Sequence, residues 1–353
     1  MVEIIVLVNW IHSIYGYLQA RLYFAFNFLD SIFSLLKVLI KNIKASLYSR
    51  FIFNNAFSLL FNKVLIELGY NARLKARINN CIIELDAEVL NSIVRYSLRG
   101  AFKSVKCVEE KIYINDVEVK DINKLFSQPE LLALLLAWRY DASCDCWWKD
   151  RVKFRFMHKM ILETFDLNVY GAIDVNDKIV VDVGSFIGDT PIYFALKSAK
   201  SVIAIEPHQE AFNVMIENIK LNNLQNKIIP INAGLASKQG KICIDERIGI
   251  EQTWYSYHGL RECQRSIPAI TLKELVAKYN LNDAVLKMDC EGCEHDVILN
   301  SYEDLLKFKE IIFEYHGDPI KLLRKLSHNY RCKVVASVLR ILSLGTIYCI
   351  RIR

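Results

Sequence analysis

The sequence stretch that decides the fold is KIVVDVGSFIGDTPIYFALK, residues 178–197. An apolar run typical of a buried strand leads into two glycines, Gly184 and Gly188. Thr190 is suited to cap a helix and Pro191 to occupy its first turn, so a helix is predicted directly after the loop. Glycine lets the backbone pass close to a neighbour where a side chain would collide. The loop is therefore either a plain tight turn or one wall of a ligand site.

Apolar strand-like runs and amphipathic helix-like runs alternate from this stretch to the C terminus. Such alternation predicts an α/β fold with a doubly wound, mostly parallel seven-stranded sheet of Rossmann-like type. The last two strands are joined by a turn, which allows an antiparallel terminal strand at the edge of the sheet. In such sheets ligands bind at the carboxyl ends of the strands, near the topological switch point. The predicted strands are residues 178–183, 201–206, 227–232, 284–289, 310–316, 331–339 and 345–353.

Composition and charge divide the chain into three predicted segments. Residues 1–77 form an apolar, basic and mainly helical extension, residues 78–170 a mixed α/β accessory or lid segment, and residues 171–353 the ligand-binding domain. The first segment has nine Lys and Arg residues against three acidic ones, which accounts for the whole net charge of +6. The remaining chain is neutral and gives no support for binding through phosphate contacts, so no nucleic-acid partner is expected.

Polar residues recur every three or four positions in the apolar residues 1–70, which predicts helices with a narrow polar stripe. The stripe argues against a simple membrane span, which needs about 20 nearly uninterrupted apolar residues. Two alternatives stay open: contact with a membrane surface, or packing against the body or a second copy of the chain. The predicted location is cytoplasmic, with peripheral association at the inner membrane face under the first alternative.

The middle segment is predicted to mix a hairpin with helices. KIYINDVEVK (111–120) alternates around Asn115 and Asp116, a pair typical of a hairpin turn. Helices are predicted over residues 129–140 and 152–165.

Ten cysteines in 353 residues do not form the dense pattern of a small secreted domain. The sequence does not open with a typical signal peptide, and a cleaved one is not expected. The expectation is therefore an intracellular protein with reduced thiols. Cys144 and Cys146 have the wrong spacing for a zinc site and are interpreted as packing residues.

Glu206, at the end of the second predicted strand, follows the glycine loop by about 20 residues, where an acid accepts hydrogen bonds from both ribose hydroxyls. The loop lacks the third glycine of the dinucleotide fingerprint, and the acids flanking it disfavour a pyrophosphate. A ligand with a ribose, no phosphates and a positive charge is S-adenosylmethionine. The loop would face its methionine part, Glu206 its ribose, and the Asn232–Ala233 region its adenine. The candidate cofactor-binding residues are Asp182, Gly184, Ser185, Gly188, Asp189, Thr190, Glu206, Pro207, Asn232, Ala233 and Asp289.

Acidic residues cluster at the ends of the next two strands. KMDCEGCEHD (287–296) ends the fourth strand and FEYHGD (313–318) the fifth. Cys290 and Cys293 have a C-x-x-C spacing, but no matching pair of ligands follows, so they are interpreted as small packing residues and no metal is expected.

Five motifs occur in the order VDVGSFIGDT, IAIEP, IPAITLKEL, KMDCEGCEHDVI and IIFEYH. In that order they resemble the FkbM-type methyltransferases, class I S-adenosylmethionine enzymes, over about residues 168–350. The resemblance implies the class I methyltransferase fold, S-adenosylmethionine as cofactor, and O-methylation of a hydroxyl on a sugar, glycan, glycolipid or related small molecule. This sequence departs from the family at Ser185, Cys290 and Cys293, where small size is kept. Residues 1–70 lie outside the resemblance.

Methyl transfer to a hydroxyl is an in-line displacement, so alignment supplies much of the catalysis, and a base can take the alcohol proton. The candidate catalytic residues are His316 first, then Glu291 and Asp289, and a purely structural role for His316 stays open. Asp289 has the alternative of binding the cofactor's amino group. Glu294 and Glu314 are the candidate substrate contacts, since alternation puts Glu314 on the same strand face as His316.

Two other functions stay open from the sequence. One is a membrane-associated scaffold with a degenerate methyltransferase fold, which the apolar N-terminal segment supports and the intact glycine loop opposes. The other is an RNA methyltransferase, which the neutral body disfavours. The expected partner is a hydroxylated small molecule or glycan.

Overall fold

The computed structural model describes residues 49, 51–56, 58, 59 and 62, and then residues 74–243, 266–337 and 344–352. The predicted helical extension lies almost wholly outside the described residues. The chain forms two compact units. The first comprises the residues up to Asp150 together with Phe156–Asn168, and the second comprises Arg151–Arg155 together with the residues from Val169 onward.

Strands and helices alternate most regularly in the second unit. The strands are β1 (Leu74–Ile78), β2 (Cys81–Leu85), β3 (Val105–Val108), β4 (Lys111–Ile114), β5 (Val117–Val119), β6 (Arg139–Asp141), β7 (Cys146–Lys149), β8 (Val152–Phe154), β9 (Ile179–Val183), β10 (Ser201–Ile205), β11 (Ile228–Ile231), β12 (Gly234–Leu235), β13 (Gly240–Cys243), β14 (Ser266–Ile270), β15 (Ala284–Met288), β16 (Phe308–His316), β17 (Tyr330–Ser337) and β18 (Leu344–Arg351). The helices are α1 (Ala87–Leu98), α2 (Pro129–Leu135), α3 (Lys159–Phe165), α4 (Asp189–Leu196), α5 (Gln209–Leu221), α6 (Leu272–Tyr279), α7 (Cys293–Asn300), α8 (Tyr302–Leu305) and α9 (Ile320–Leu326). Within the described part of the chain, no helix has the length and apolar character that crossing a membrane requires.

The first unit contains short antiparallel strand pairs, in which β1 pairs with β2, β4 with both β3 and β5, and β6 with β7. Asn115 and Asp116 have φ values of 49° and 66° and form the hairpin turn predicted between β4 and β5. Trp138 is fully buried in this unit, and its indole N–H donates to the Asp166 carboxylate at 2.9 Å.

The helix predicted over residues 152–165 is wrong in its first half. Val152–Phe154 is a strand with alternating burial, and the helix begins only at Lys159. Its start is fixed by the His158 ring, which accepts a hydrogen bond from the Met160 amide at 3.2 Å. The helix predicted over residues 129–140 likewise ends early, at Leu135.

The second unit is organised around a seven-stranded sheet in the order β11-β10-β9-β15-β16-β18-β17. Neighbours from β11 to β16 are parallel, and β18 is antiparallel to both β16 and β17. The predicted α/β class and seven-stranded sheet are confirmed, and the sheet is mixed. The terminal strand pair forms one edge of the sheet, as predicted, and its antiparallel strand is the last strand, β18. Within the sheet β18 lies between β16 and β17, and its residues Ile347 and Cys349 are fully buried.

The direction of strand order reverses between β9 and β15. From β9 the chain builds outward through β10 and β11, whereas β15 and β16 extend the sheet on the other side. The carboxyl ends of β9, β10 and β15 therefore meet at the topological switch point, where ligands bind in open α/β sheets.

A buried ion pair joins β9 and β15 at this point. Asp182 and Lys287 are partners in the parallel ladder, and the Lys287 Nζ lies 3.1 Å from the Asp182 Oδ1. Burial raises the pKa of Asp182, although the charge of Lys287 opposes the rise. Burial alone would lower the pKa of Lys287, but the charges of Asp182, Asp289 and Asp189 raise it. Each partner therefore compensates for the burial of the other.

The cysteines that the structure describes are paired, and none of them is free. The pairs are Cys81–Cys107, Cys144–Cys146, Cys290–Cys293 and Cys332–Cys349, and Cys243 is also disulfide-bonded. The prediction of reduced thiols is therefore wrong for the described residues, as is the interpretation of two of these pairs as packing residues only. Spacing along the sequence excluded a zinc site but did not show that the Cα atoms of these two pairs lie 5.2 and 5.4 Å apart, within disulfide range.

Replacing Lys287 with methionine is expected to lower the free energy of unfolding by about 3–5 kcal/mol, because the Asp182 carboxylate would stay buried without its partner. Denaturant titration followed by circular dichroism measures the change. Lys111, which forms a solvent-exposed pair with Glu118, provides the control: Lys111→Met should cost less than about 1 kcal/mol. Similar effects of the two substitutions would contradict the importance given to the buried pair.

Candidate functional site

The glycine loop after β9 is pressed against the end of β15. Gly184 has a φ of 73°, and its amide and that of Ser185 both donate to the Ile205 carbonyl, at 3.0 and 3.1 Å. A Cβ atom on Gly184 would lie only 1.8 Å from the backbone oxygen of Asp289. Both the conformation and the space therefore require glycine at this position.

Asp182 holds the glycine loop in place through two hydrogen bonds. The Thr190 hydroxyl donates to the Asp182 carboxylate at 2.6 Å, and the Ser185 hydroxyl donates to the Asp182 backbone oxygen at 2.9 Å. The prediction that Thr190 caps the following helix is wrong. The N-cap of α4 is Gly188, with φ 92°, and Thr190 lies inside the first turn, where its hydroxyl binds Asp182. The conformation of the loop is thus held by the contacts among Asp182, Ser185 and Thr190.

Glu206 follows β10 and is almost completely buried. Its carboxylate accepts hydrogen bonds from the amides of Phe186, at 2.7 Å, and His208, at 2.8 Å. Burial raises the pKa of Glu206 to about 7, although these two hydrogen bonds oppose the rise. Each oxygen keeps a second lone pair, so the carboxylate can still accept hydrogen bonds from the two hydroxyls of a ribose.

The remaining predicted cofactor residues lie at the same sheet edge. The Asn232 amide follows β11 and donates to the backbone oxygens of Glu206 and Pro207, at 3.0 and 3.2 Å. Ala233 is buried beside it, and Asp189 is buried in the first turn of α4. The structure therefore brings the predicted loop, ribose and adenine residues to the carboxyl ends of β9, β10 and β11.

The acidic residues after β15 meet the end of β16. The Asp289 amide donates to the Val183 carbonyl at 3.0 Å, which fixes this segment beside the loop. The His316 Nε2 lies 3.0 Å from the Glu291 carboxylate, and its Nδ1 lies 3.2 Å from that of Glu294. One potential ligand atom each from Asp289, Glu291 and His316 lies within 4.8 Å of the others, so this group could hold a metal ion. The expectation of no metal came from cysteine spacing and did not consider these side chains.

The two carboxylates determine the charge of His316. Burial alone would lower its pKa, but the hydrogen bonds with Glu291 and Glu294 and their charges raise it to about 10. His316 is therefore a cation at neutral pH and, in that state, has no lone pair with which to accept a proton. Burial raises the pKa of Glu291, an effect that His316 opposes and the charge of Asp289 strengthens.

Glu294 has a structural role. Its side chain is fully buried and accepts hydrogen bonds from the amides of Gly292 and His316, both at 2.9 Å. A carboxylate enclosed in this way holds the two strand ends together, and its assignment as a substrate contact stays a prediction. Glu314 is half-buried on β16, two residues before His316, and its assignment as a substrate contact stays a prediction.

Two residues of the site were missed by sequence reasoning. The Lys287 ammonium donates to the Gly184 carbonyl at 2.7 Å and lies 5.7 Å from the Tyr170 ring centre. The Tyr170 hydroxyl donates to the Asp289 carboxylate at 3.5 Å. Burial raises the pKa of Tyr170, and the charges of Asp289 and Glu314 raise it further. A lysine within the apolar run AVLKM was a usable signal for a buried ion pair, whereas Tyr170 lies in no motif.

The loop, the buried acid and the acidic edge fall within a known family domain. Residues 182–332 match the family model of the Methyltransferase FkbM domain, which confirms the resemblance predicted from the five motifs. Residues 182–332 therefore carry the signature of a methyltransferase domain of the FkbM family. A domain of this kind supports methyl transfer from S-adenosylmethionine as the activity.

Two curated proteins are similar to parts of the chain. Uncharacterized protein 158B of Sulfolobus islandicus rod-shaped virus 1 is 26% identical over 157 residues, which is 44% of this chain and 74% of that protein. The tRNA (guanine(37)-N(1))-methyltransferase Trm5b of Methanocaldococcus jannaschii is 37% identical over 84 residues, which is 24% of each chain.

Two solved structures illustrate the more distant likenesses. TrmK of M. capricolum, in complex with S-adenosylhomocysteine, is 17% identical with a TM-score of 0.35, over 53% of this chain and 67% of that one. The tRNA m1G37 methyltransferase of M. jannaschii is 18% identical with a TM-score of 0.33, over 59% of this chain and 54% of that one. Likeness at this level does not extend to substrates.

Replacing Gly184 with alanine is expected to destabilise the protein by about 1–2 kcal/mol through its positive φ and by about 1–3 kcal/mol more through the collision with Asp289. Binding of S-adenosylmethionine should weaken as well, because the loop must move. Gly100 is the matched control, since it has a similar φ of 75° and nothing lies within 4 Å of its Cβ position. Gly100→Ala should show the conformational cost alone and leave cofactor affinity unchanged. Equal stability losses in denaturant titrations would refute the close approach.

Proposed function

We propose that the protein is an O-methyltransferase that methylates a hydroxyl group of a sugar, glycan, glycolipid or related small molecule. The observation that carries this proposal is the Glu291 carboxylate, held 3.0 Å from the charged His316 ring, at the strand end beside the cofactor loop. An alcohol loses its proton when it is methylated, and a base at this position can take that proton.

S-adenosylmethionine, when bound, would supply an activated methyl group for in-line transfer to the acceptor oxygen. The Glu291 carboxylate would take the proton that the alcohol loses. His316, first among the predicted bases, is assigned here to positioning Glu291, because it is already protonated. The raised pKa of Glu291 brings it closer to the range in which a base works best at neutral pH.

The other acidic residues are assigned to binding. Asp289, which lies against Gly184 through its backbone, is proposed to bind the cofactor's amino group, and its tyrosine partner Tyr170 would orient it. Glu314, on the strand face of His316, is proposed to accept hydrogen bonds from further hydroxyls of the acceptor. A polyhydroxylated acceptor suits such carboxylates, because each can bind two neighbouring hydroxyls.

Methylation of RNA is the second candidate, and the similarity to Trm5b favours it. That similarity covers 24% of each chain. Outside residues 1–77 the sequence carries equal numbers of basic and acidic residues, which gives little attraction for a phosphate backbone. The scaffold alternative is disfavoured by the intact loop and by Glu206.

Peripheral association with the inner membrane face is proposed for residues 1–70, which lie mostly outside the described residues. The basic, amphipathic sequence supports it, because lysines beside an apolar face favour anionic lipid surfaces. Flotation with anionic vesicles should bring up the full chain but not a form that lacks residues 1–70. Equal flotation of both forms would refute it.

Replacing Glu291 with glutamine is expected to lower the methyl-transfer rate by about 10²–10⁴-fold, because an amide cannot take the proton. Affinity for S-adenosylmethionine should stay unchanged. Transfer of a tritiated methyl group to a panel of glycosides and glycolipids measures the rate, and calorimetry measures the affinity. Glu303→Gln, the same substitution at an exposed position of the same unit, should leave both quantities unchanged.

Two results would contradict this proposal. Full activity of the Glu291→Gln enzyme would remove the base from the mechanism. Methylation of tRNA transcripts in the same assay, with no transfer to hydroxylated acceptors, would replace the acceptor class with RNA.

A further inference from the structure

The four residues Cys290–Cys293 between β15 and α7 form a small closed ring. Their end residues are joined by a disulfide, and Glu291 lies inside the ring. Glu291 has a φ of 56° and Gly292 a φ of 120°. A left-handed conformation costs a non-glycine residue about 1–2 kcal/mol, so Glu291 keeps it only where its surroundings impose it.

This conformation presents Glu291 to His316. Its carboxylate lies 3.0 Å from the His316 Nε2, and the opposite ring nitrogen is fixed by the buried Glu294. Glu294 belongs to the turn that follows the ring and also binds the Gly292 amide. The disulfide, Glu291 and His316 therefore belong to one network of contacts.

Reduction of the Cys290–Cys293 disulfide would change the hydrogen bonds of this network. The Cys290 sulfur lies 3.5 Å from the Glu294 carboxylate. A disulfide sulfur carries no hydrogen and cannot donate, whereas a thiol can. A reduced Cys290 would thus gain a hydrogen bond to the carboxylate that holds Gly292 and His316, while the ring that constrains Glu291 would open.

The disulfide is placed for attack at one of its sulfurs. Cys290 is half-buried, whereas Cys293 is fully buried at the start of α7. A small dithiol can therefore reach Cys290. None of the other three disulfides between described cysteines encloses a candidate catalytic residue in its loop.

We propose that the Cys290–Cys293 disulfide is a positioning device that holds the Glu291 carboxylate against His316, so that its reduction slows methyl transfer without weakening cofactor binding. This rests on the proposed function of Glu291. In the reductive step a dithiol such as dithiothreitol gives two electrons and two protons to the two sulfurs. The S–S bond breaks, two thiols form, and the dithiol becomes a cyclic disulfide.

The test compares four forms of the full-length protein: oxidised wild type, wild type treated with dithiothreitol, Cys290→Ala/Cys293→Ala, and Cys332→Ala/Cys349→Ala. The last form removes a disulfide of the same unit that has no link to Glu291. Alkylation under denaturing conditions, followed by mass spectrometry, first establishes whether Cys290 and Cys293 are paired. Each form is then measured for S-adenosylmethionine affinity, kcat and KM for the acceptor, and hydrogen exchange at the Gly292 and His316 amides.

Opening the ring is expected to lower kcat at least about tenfold, since small misplacements of a catalytic group are costly. Cofactor affinity should be unchanged, and the two amides should exchange at least about tenfold faster. Reoxidation should restore the wild type but not Cys290→Ala/Cys293→Ala, and the control pair should behave like oxidised wild type. Because dithiothreitol can open every accessible disulfide, the Cys290→Ala/Cys293→Ala form is the decisive one.

Three results would overturn the proposal: free thiols at Cys290 and Cys293 in the purified protein, unchanged kcat and exchange after their substitution, or a parallel loss of cofactor affinity. The last would show that the disulfide supports the whole site. If no acceptor is methylated by any form, the proposed function fails by itself. The exchange rates at Gly292 and His316 then still decide whether the disulfide holds this segment.

Discussion

The ion pair between Asp182 and Lys287 is the interaction on which the rest of the site depends. It is almost fully buried and joins the two strands that flank the topological switch point. The same lysine binds the Gly184 carbonyl, and the same aspartate receives the Thr190 hydroxyl. A carboxylate buried without a partner would be strongly unfavourable, so the sheet, the loop and the start of α4 are fixed together.

A second consequence is the charge of the sheet edge above this pair. Carboxylates from several strand ends face a region in which Lys287 is already neutralised by Asp182 and His316 by Glu291 and Glu294. The excess is negative, which favours a cationic ligand over a phosphate. S-adenosylmethionine carries a positive sulfonium that methyl transfer removes, so the same field that favours the cofactor holds the neutral product less tightly. The remaining carboxylates are those of Asp189, Glu206, Asp289 and Glu314.

Sequence patterns predicted the parts of this arrangement that depend on local periodicity. The strand runs, the glycine loop and Glu206 were readable because each reflects one element and its end. What escaped prediction depends on contacts between distant segments. Thr190 has the composition of a cap, yet its hydroxyl is taken by a carboxylate eight positions earlier.

The position of β18 in the sheet and the pairing of the cysteines could not be predicted, for the same reason. The terminal strands have similar apolar patterns, so their order in the sheet could not be read from either one. Cysteine spacing excluded zinc but could not measure the distance between Cα atoms. His316 was rated as a base from its ordinary pKa, and only the structure shows the two carboxylates that keep it charged.

The most direct test of the account is calorimetric titration of S-adenosylmethionine into the wild type and into Glu206→Gln, each near pH 6 and near pH 8. The raised pKa of Glu206, about 7 in the free protein, means that the carboxylate form accepting the ribose hydroxyls becomes populated as pH rises. Wild-type affinity should therefore increase about tenfold between the two conditions. The Glu206→Gln variant should bind weakly and should lack the increase of about tenfold. Any pH response that it keeps comes from the ligand's own amino group, and it is subtracted from the wild-type response. Absence of binding by folded protein, or the same affinity and pH response in both proteins, would contradict the cofactor site.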